Sequence, residues 1–308
     1  GRGLCGGGKG GKVLRGAGEK DILASNCESI EERGRVDARA GEAGGVADVA
    51  LRINPDSDPK TNRCIDTGQA DSKFGISYEE VREHAKEIRA LKHINIIGLH
   101  LHIGSQIREL HVFENMCNKV NVIVENLEKL GCSFRFVDVG GGLGIAYTAD
   151  DKPASIDEFA ETVTSAVHAA CEKFGVPEPR LLTEPGRSLV ATAGVTLYTV
   201  GILKTLPGIR KYVAVDGGMS DNIRTALYHA DYEPVIANKA GQPRTEIVTI
   251  AGKHCESGDA VVIDMPMQHP DLGDIVAVFG TGAYCYTMAS HYHRHPPPAT
   301  VFVQAGQA

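Results

Sequence analysis

The sequence predicts an α/β protein in which an incomplete (β/α)8 barrel of the TIM type precedes a mostly antiparallel β domain. Between residue 20 and about residue 190, short apolar runs alternate with amphipathic stretches, which indicates parallel βα units. Beyond residue 190, strand-like runs follow one another with few helices between them, which is typical of an antiparallel sheet. We therefore predict two domains, a barrel over 1–190 and a β domain over 191–308.

Hydrophobic periodicity predicts the individual elements. Five apolar runs predict parallel strands at 21–24, 47–53, 94–103, 134–139 and 181–183. Apolar residues at helical spacing predict helices at 78–91, 112–130 and 156–174. In the second domain we predict strands at 195–203, 211–215, 245–250, 260–263, 275–279 and 300–303, and a short helix at 223–228.

Polar motifs at the strand ends favour a barrel over an open doubly wound sheet. Each of the last four parallel strands ends in such a motif: RINP (52–55), HLHIGS (100–105), DVGGGLG (138–144) and EPGR (184–187). Functional groups on successive strand ends are typical of the top face of a barrel, whereas a doubly wound sheet gathers them at one switch point. Because such a barrel has eight strands, we expect the first three to be absent from this chain.

Composition excludes several classes of function. The chain of 308 residues carries 32 Lys and Arg against 39 Asp and Glu, a net charge of −7, which disfavours nucleic-acid partners. The apolar runs are far shorter than the ~20 residues of a membrane-spanning helix, and no secretory signal is apparent. The eight Cys and twelve His lack paired ligand spacings, so we predict no metal site. Scattered Cys favour a reducing compartment, the cytoplasm first and a plastid stroma as the alternative.

Each strand-end motif has a structural interpretation when it is taken singly. Gly140–Gly144 could be a tight turn, and Glu184 with Arg187 could be an ion pair. His102 could be a core histidine, and Ser105 could be a helix cap. Together they combine an anion cradle, a flat stacking ring and an acidic anchor. That combination suits a phosphorylated heteroaromatic cofactor.

Eight motifs, in order along the chain, carry a resemblance to a known family. They are LRINPD (51–56), SKFGI (72–76), GLHLHIGSQ (98–106), VDVGGGLGI (137–145), EPGRSLV (184–190), VDGGMSDNIRTALY (215–228), CESGD (255–259) and GAYCYTMASHY (282–292). The sequence resembles the fold-type III pyridoxal-phosphate decarboxylases, and among them those that act on meso-2,6-diaminopimelate. The resemblance implies a carboxy-lyase of lysine biosynthesis that releases CO2 from this substrate to give L-lysine, with pyridoxal 5'-phosphate as cofactor.

The resemblance also implies which residues hold the cofactor. They are His102, Ser105, Gly142, Glu184, Pro185, Gly186, Arg187 and Tyr284. His102 is expected to stack on the pyridoxal ring and to take part in catalysis, while Ser105, Gly142 and the backbone near Gly186 hold the phosphate. Glu184 is expected to bond the ring nitrogen and keep it protonated, so that the ring can accept the electrons released as CO2 leaves.

Further residues are implied for substrate binding and catalysis. The substrate residues are Arg187, Arg224, Tyr228, Glu256 and Tyr284. Arg187, Arg224 and Tyr228 are expected to bind the distal carboxylate through charge-assisted hydrogen bonds. Glu256 is expected to bind the distal ammonium group. The resemblance makes Cys255 the acid that returns a proton to carbon, and it implies a homodimer in which the β domain of one subunit completes the site of the other.

Two alternatives stay open. Another basic amino-acid decarboxylase, acting on arginine, ornithine or carboxynorspermidine, would share the fold, although Arg224 and Glu256 argue against it. A non-catalytic binding protein resembling the antizyme inhibitors is favoured by the lack of a lysine motif. It is disfavoured by the retention of Cys255, Glu184 and His102.

The sequence departs from the family in one important respect. The Schiff-base lysine of the family lies in a Tyr-x-x-Lys-Ala-Asn type of motif, and this sequence contains none. We therefore expect the chain to be a fragment that begins inside the barrel and to be unstable, inactive or both by itself. The histidines at 291–295 are interpreted as part of a solvated loop.

Overall fold

The chain forms two compact units in a computed structural model that describes residues 3–4, 9–10, 22–56, 66–69, 72–129 and 134–306. Unit 1 comprises Gly1–Gly144 and Pro153–Pro185, and unit 2 comprises Ile145–Lys152 and Gly186–Ala308. The domain boundary predicted at residue 190 stays a prediction. Within the described ranges, no helix is long and apolar enough to cross a membrane.

Unit 1 is built on a parallel sheet. Its strands are β1 (Gly3–Leu4), β2 (Ala24–Cys27), β3 (Ala47–Asn54), β4 (Ile76–Ser77), β5 (Ile94–His100), β6 (Phe136–Asp138) and β7 (Arg180–Leu182). Their order is β1-β2-β3-β5-β6-β7, with β4 paired to β3, and every pairing is parallel. A doubly wound sheet would reverse its order at a switch point. The spatial order here follows the chain, which confirms the barrel-type α/β prediction.

Helices connect these strands where the sequence provides caps. They are α1 (Ile30–Glu42), α2 (Tyr78–Glu83), α3 (Ala85–Ala90), α4 (Leu110–Lys129) and α5 (Ile156–Phe174). The Ser155 and Glu158 side chains form a capping box that begins α5, and Gly175 ends it at φ 66°. The single helix predicted at 78–91 is wrong, because the backbone leaves helical geometry at His84 (φ −93°, ψ 10°). Helix α1 was not predicted.

The core of unit 1 lies between the sheet and its helices. Its buried members include Leu51, Leu99, Leu101, Ile103, Phe113, Met116, Val137, Val139 and Val163. Phe113 of α4 meets Phe159 of α5 edge to face, with ring centroids 4.8 Å apart, a favoured aromatic geometry. Both rings lie in helices that the helical spacing of apolar residues predicted, at 112–130 and 156–174. The core leaves the carboxyl ends of the strands to polar residues.

Unit 2 contains a second sheet. Its strands are β8 (Val195–Leu206), β9 (Arg210–Val215), β10 (Pro234–Ile236), β11 (Glu246–Ala251), β12 (Ala260–Met267) and β13 (Ile275–Phe279), and its α-helices are α6 (Arg187–Val190) and α7 (Arg224–Tyr228). The order is β10-β13-β8-β9-β11-β12. All pairings are antiparallel except β9 with β11, which confirms a mostly antiparallel sheet. The strand predicted at 300–303 is wrong: Phe302 there is 89% exposed, and apolar content alone does not supply a pairing partner.

Candidate functional site

Three polar side chains meet at the carboxyl ends of neighbouring strands in unit 1. His100 ends β5 and is paired in register with Asp138 of β6, which is paired with Leu182 of β7. Residues in register share a face and side chains alternate, so Glu184, two residues after Leu182, falls on the same side. Glu184 Oε2 lies 3.1 Å from His100 Nε2, and one polar atom from each of the three groups lies within 4.8 Å of the others. We call His100, Asp138 and Glu184 the strand-end cluster.

Burial sets the protonation of this cluster. The His100 side chain is 1% exposed, and its Nδ1 has no hydrogen-bond partner among the described residues. A proton on this buried Nδ1 would be unpaired, so the geometry favours the tautomer with its proton on Nε2, which donates to Glu184. Burial raises the pKa of Asp138, and the nearby charge of Glu184 adds to that effect. Asp138 Oδ1 accepts a hydrogen bond from Gly140 N at 2.9 Å, which joins the cluster to the glycine turn.

His102 lies just beyond the same strand as a neutral ring. Its Nδ1 accepts a hydrogen bond from Gly141 N at 3.2 Å. Burial, and to a lesser extent the positive charge of Arg52, lower the pKa of His102 to about 4. At neutral pH the ring is therefore uncharged, as suits a residue that stacks on a flat heterocycle.

The glycine turn after β6 approaches its neighbours backbone to backbone. Gly140 and Gly142 have φ values of 70° and 106°, a region that favours glycine. A Cβ on Gly141 would lie 2.2 Å from the carbonyl oxygen of Glu184, and one on Gly142 would lie 2.5 Å from that of Gly104. The Gly140 and Gly141 N–H groups are used by Asp138 and His102. Within the described residues the Gly142 N–H forms no hydrogen bond, so it can donate to an anion.

A second group of functional side chains lies within unit 2. Arg187 begins α6 and donates from Nη1 to the Tyr147 hydroxyl, and its guanidinium lies 4.7 Å from the ring centroid of Tyr284. Arg224 begins α7 and donates from Nη1 to the Tyr232 hydroxyl, and its guanidinium lies 5.0 Å from the ring centroid of Tyr147. We call these five residues the arginine–tyrosine cluster.

Arg224 is a buried cation without an acidic partner. It is 3% exposed, and its Nε has no hydrogen-bond partner. No carboxylate in the described part of the chain forms an ion pair with it. Contacts with tyrosine rings stabilise a cation by about 0.5–2 kcal/mol, which is less than the several kcal/mol that burying an ion costs. The geometry therefore suits an incoming carboxylate. Burial raises the pKa of the Cys285 thiol, which lies 3.6 Å from the Tyr232 hydroxyl.

The remaining predicted residues lie elsewhere. Cys255 and Glu256 lie on an exposed loop of unit 2 and are not members of the arginine–tyrosine cluster. Glu256 accepts a hydrogen bond from the Tyr292 hydroxyl at 2.5 Å. Tyr228 is half-buried at the end of α7. In unit 1, Ser105 is half-buried after β5 and Pro185 is exposed. Gly186 precedes α6, where a Cβ would lie 3.3 Å from the Tyr284 hydroxyl.

A comparison with known families shows which protein family the chain belongs to. The family profile described as "Pyridoxal-dependent decarboxylase, pyridoxal binding domain" matches residues 4–191. The chain belongs to the pyridoxal-dependent decarboxylase family. The family resemblance predicted from the eight motifs is thereby confirmed, and pyridoxal 5'-phosphate is the cofactor of the family.

Individual relatives agree. The chain is 45% identical over 273 residues to the diaminopimelate decarboxylase of Bacillus subtilis, covering 87% of this chain and 62% of that protein. It is 40% identical to the diaminopimelate decarboxylase of Bacillus methanolicus, covering 94% of this chain and 68% of that protein. The crystal structure of diaminopimelate decarboxylase from Helicobacter pylori complexed with L-lysine superimposes with a TM-score of 0.85 at 31% identity, covering 94% of this chain and 70% of that one.

The residues of unit 1 fit this family's cofactor. The free Gly142 N–H suits a phosphate, the uncharged His102 suits a pyridine ring, and the Glu184 carboxylate suits a protonated ring nitrogen. The spacing of the strand-end cluster would also permit a metal ion. However, the His100 Nε2 that faces the carboxylates is engaged with Glu184, so we interpret the group as a histidine–glutamate hydrogen bond beside a buried carboxylate.

Sequence reasoning missed His100, Asp138, Tyr147 and Tyr232. A signal for the first two existed, because His100 and His102 stand two apart in one strand motif and Asp138 opens the next. Tyr147 and Tyr232 lie outside the strand ends, and no periodicity in the sequence marks them.

Proposed function

We propose that the protein is a carboxy-lyase that uses pyridoxal 5'-phosphate to convert meso-2,6-diaminopimelate to L-lysine and CO2. Family membership supports the cofactor and the reaction class. The names of the relatives, and the L-lysine in the Helicobacter pylori structure, support the substrate and the product.

The cofactor, when bound, supplies a ring that accepts the electrons released as CO2 leaves. Glu184 holds a proton at the ring nitrogen, because an ionised carboxylate favours the protonated pyridine. His102 packs against the ring without adding a charge. Gly142 donates its N–H to the phosphate, with Ser105, Pro185, Gly186 and Arg187 in the roles implied by the resemblance.

The observation that carries the choice of substrate is the buried Arg224 without a carboxylate partner. A guanidinium forms its strongest hydrogen bonds with a carboxylate, and meso-diaminopimelate has a distal carboxylate that ornithine and arginine lack. Arg187 and Tyr228 bind the same group. Arg224 therefore selects a substrate with two carboxylates.

The loop of Cys255 and Glu256 acts on a neighbouring subunit in this proposal. Cys255 donates the proton that replaces CO2, and Glu256 binds the distal ammonium group. Tyr284, which is 41% exposed, contacts cofactor and substrate. These roles require a homodimer with shared sites. We place the protein in the cytoplasm or, as the alternative, in a plastid stroma.

The test is CO2 release by the protein expressed from its whole gene. We expect turnover of meso-diaminopimelate and a kcat/KM roughly tenfold to hundredfold lower for L-ornithine and L-arginine, since the loss of a hydrogen bond to a charged group costs roughly 1.5–3 kcal/mol. A preference for L-ornithine or L-arginine would establish the rival decarboxylase. Binding of neither cofactor nor substrate would establish a non-catalytic protein.

The shared site has its own test. Cys255→Ser and Arg224→Met variants should each have strongly reduced activity, and mixing them should raise it if each mixed dimer contains one intact site. Mixtures whose activity does not rise after subunit exchange, verified by mass spectrometry, would exclude sharing.

A further inference from the structure

His100 is placed to control Glu184 rather than to contact a ligand itself. The ring is 1% exposed in the face that β5 shares with β6, so its rotamer is fixed by packing. Its Nε2 lies 3.1 Å from Glu184 Oε2. Because Nδ1 has no partner, the ring has one hydrogen bond to make, and it makes that bond with Glu184.

Glu184 needs such a partner. It follows the last residue of β7 by two positions, and its side chain is 39% exposed. An exposed glutamate samples several rotamers, and ordering it has an entropic cost. A donor on a rigid strand removes part of that freedom before a ligand arrives.

The third member of the cluster assigns the charges. A polar atom of Asp138 lies within 4.8 Å of both partners, and two carboxylates this close do not ionise independently. Asp138 is the more buried of the two, and its pKa is raised by burial and by Glu184. Glu184 is the carboxylate that accepts the His100 N–H, and a hydrogen bond donated to a carboxylate favours its ionised form.

We propose that His100 is a positioning residue whose Nε2–H fixes the orientation and the charge of the Glu184 carboxylate, so that Glu184 holds the proton on the ring nitrogen of pyridoxal 5'-phosphate. This inference rests on the proposed function. It adds a residue that the eight-motif resemblance did not assign a role.

The experiment compares wild type with His100→Leu, which cannot donate, His100→Gln, which can, and Glu184→Gln. His168→Gln, on the exposed surface of α5, is the matched histidine control. Each protein, expressed from the whole gene, is loaded with pyridoxal 5'-phosphate labelled with 15N in its ring. The 15N shift of the ring nitrogen reports protonation, and a titration gives the dissociation constant.

We expect a protonated ring nitrogen in wild type, His168→Gln and His100→Gln, and loss of that proton in Glu184→Gln. His100→Leu should weaken cofactor binding about tenfold, as for one hydrogen bond to a charged group, and should reduce the protonated fraction. A merely structural role would not change that fraction. If His100→Leu binds the cofactor as tightly as wild type with the nitrogen fully protonated, the inference is wrong.

A second measurement uses the wild-type protein without cofactor, so it does not depend on whether a variant folds. In protein labelled with 15N-histidine, His100 should show the neutral tautomer protonated on Nε2. A proton on Nδ1 would overturn the inference even where the proposed function holds. Failure of the wild type to bind the cofactor would overturn the proposed function, and the positioning role with it.

Discussion

The strand-end cluster of unit 1 and the arginine–tyrosine cluster of unit 2 are built by different means. The first takes its residues from successive parallel strands, whose register puts His100 beside Asp138, and His100 forms a hydrogen bond with Glu184. The second takes its residues from the starts of two short helices and from loops, and surrounds two buried cations with tyrosine rings. In the strand-end cluster the Glu184 carboxylate has the His100 ring as a hydrogen-bond partner, whereas Arg224 has no anion within the described residues.

This difference indicates a division of labour. A cluster placed by strand register and by the His100–Glu184 hydrogen bond needs little rearrangement, so it can be preorganised to hold one chemical state of a cofactor. A buried cation without a counter-ion destabilises the free protein and is stabilised when a carboxylate arrives. Under the proposed function, the first arrangement tunes the bound cofactor and the second selects the substrate.

The largest effect is expected at Arg224. Arg224→Met should lower kcat/KM for meso-diaminopimelate roughly hundredfold, because charge-assisted hydrogen bonds to a carboxylate contribute about 1.5–3 kcal/mol. The free energy of unfolding should stay equal or rise, since a desolvated charge is removed. Arg210→Met, at a surface ion pair with Asp264, is the control. A large loss of stability with normal kcat/KM would mean that Arg224 is structural and would remove the contrast between the clusters.

The next prediction concerns pH and unit 1. The pKa of His102 is lowered to about 4, below its value of about 6.5 in an unfolded chain. The unfolded state therefore takes up a proton first, and stability falls as pH drops from 6.5 towards 4. The fall should be about 2 kcal/mol after allowance for partial exposure of the ring.

Denaturant unfolding between pH 7 and pH 4 measures this effect. His102→Gln should flatten the profile. His168→Gln should not flatten it, because the hydrogen bond to Glu178 raises the pKa of the exposed His168, and a raised pKa adds stability as pH falls. An unchanged slope in His102→Gln would show that the ring is not held neutral by the fold.

Tyr147 tests whether the tyrosines orient the cations. Its hydroxyl accepts from Arg187, and its ring also contacts Arg224. Tyr147→Phe removes one hydrogen bond to a charged group and keeps the ring, so kcat/KM should fall about fivefold to tenfold. Tyr147→Leu, which removes both contacts, should cost more. Tyr286→Phe, at a residue 65% exposed, is the control. Equal effects of Phe and Leu would assign the whole role to the hydroxyl.

The contrast between the clusters also explains what the sequence could predict. The strand Ala47–Asn54 was predicted to within one residue. The strand Ile275–Phe279 and the capped helix α5 were predicted to the residue. Each contains an unbroken apolar run or a helical apolar pattern that the sequence displays directly. Strands β1, β4 and β10 have two or three residues each, too few for a period to show. The helix at 223–228 and the β-rich second half were also predicted correctly.

The same reasoning applies to the sites. His102, Gly142 and Glu184 follow apolar runs directly, so strand ends pointed to them. His100 and Asp138 are brought together by register between strands, which one sequence does not display. Tyr147 belongs to unit 2, although the residues that follow it from Pro153 belong to unit 1. The contact of its ring with Arg224 depends on this short excursion of the chain into unit 2.

The smallest effect is expected at Asp138, and it separates charge from hydrogen bonding in the strand-end cluster. The raised pKa of Asp138 means that its stabilising contribution is greatest at low pH and is lost as pH rises through the folded pKa. Asp138→Asn keeps an oxygen that can accept from Gly140 N and removes the charge near Glu184.

At pH 7, Asp138→Asn should therefore match or exceed the stability of wild type by less than about 1 kcal/mol. Asp138→Ala, which leaves the Gly140 N–H unpaired, should be less stable by about 1–3 kcal/mol. Denaturation midpoints of the three proteins at pH 5 and pH 7 measure both differences. A loss in Asp138→Asn equal to that in Asp138→Ala would mean that the negative charge itself is needed. The strand-end cluster would then resemble the arginine–tyrosine cluster, because both would hold a charge that waits for a ligand.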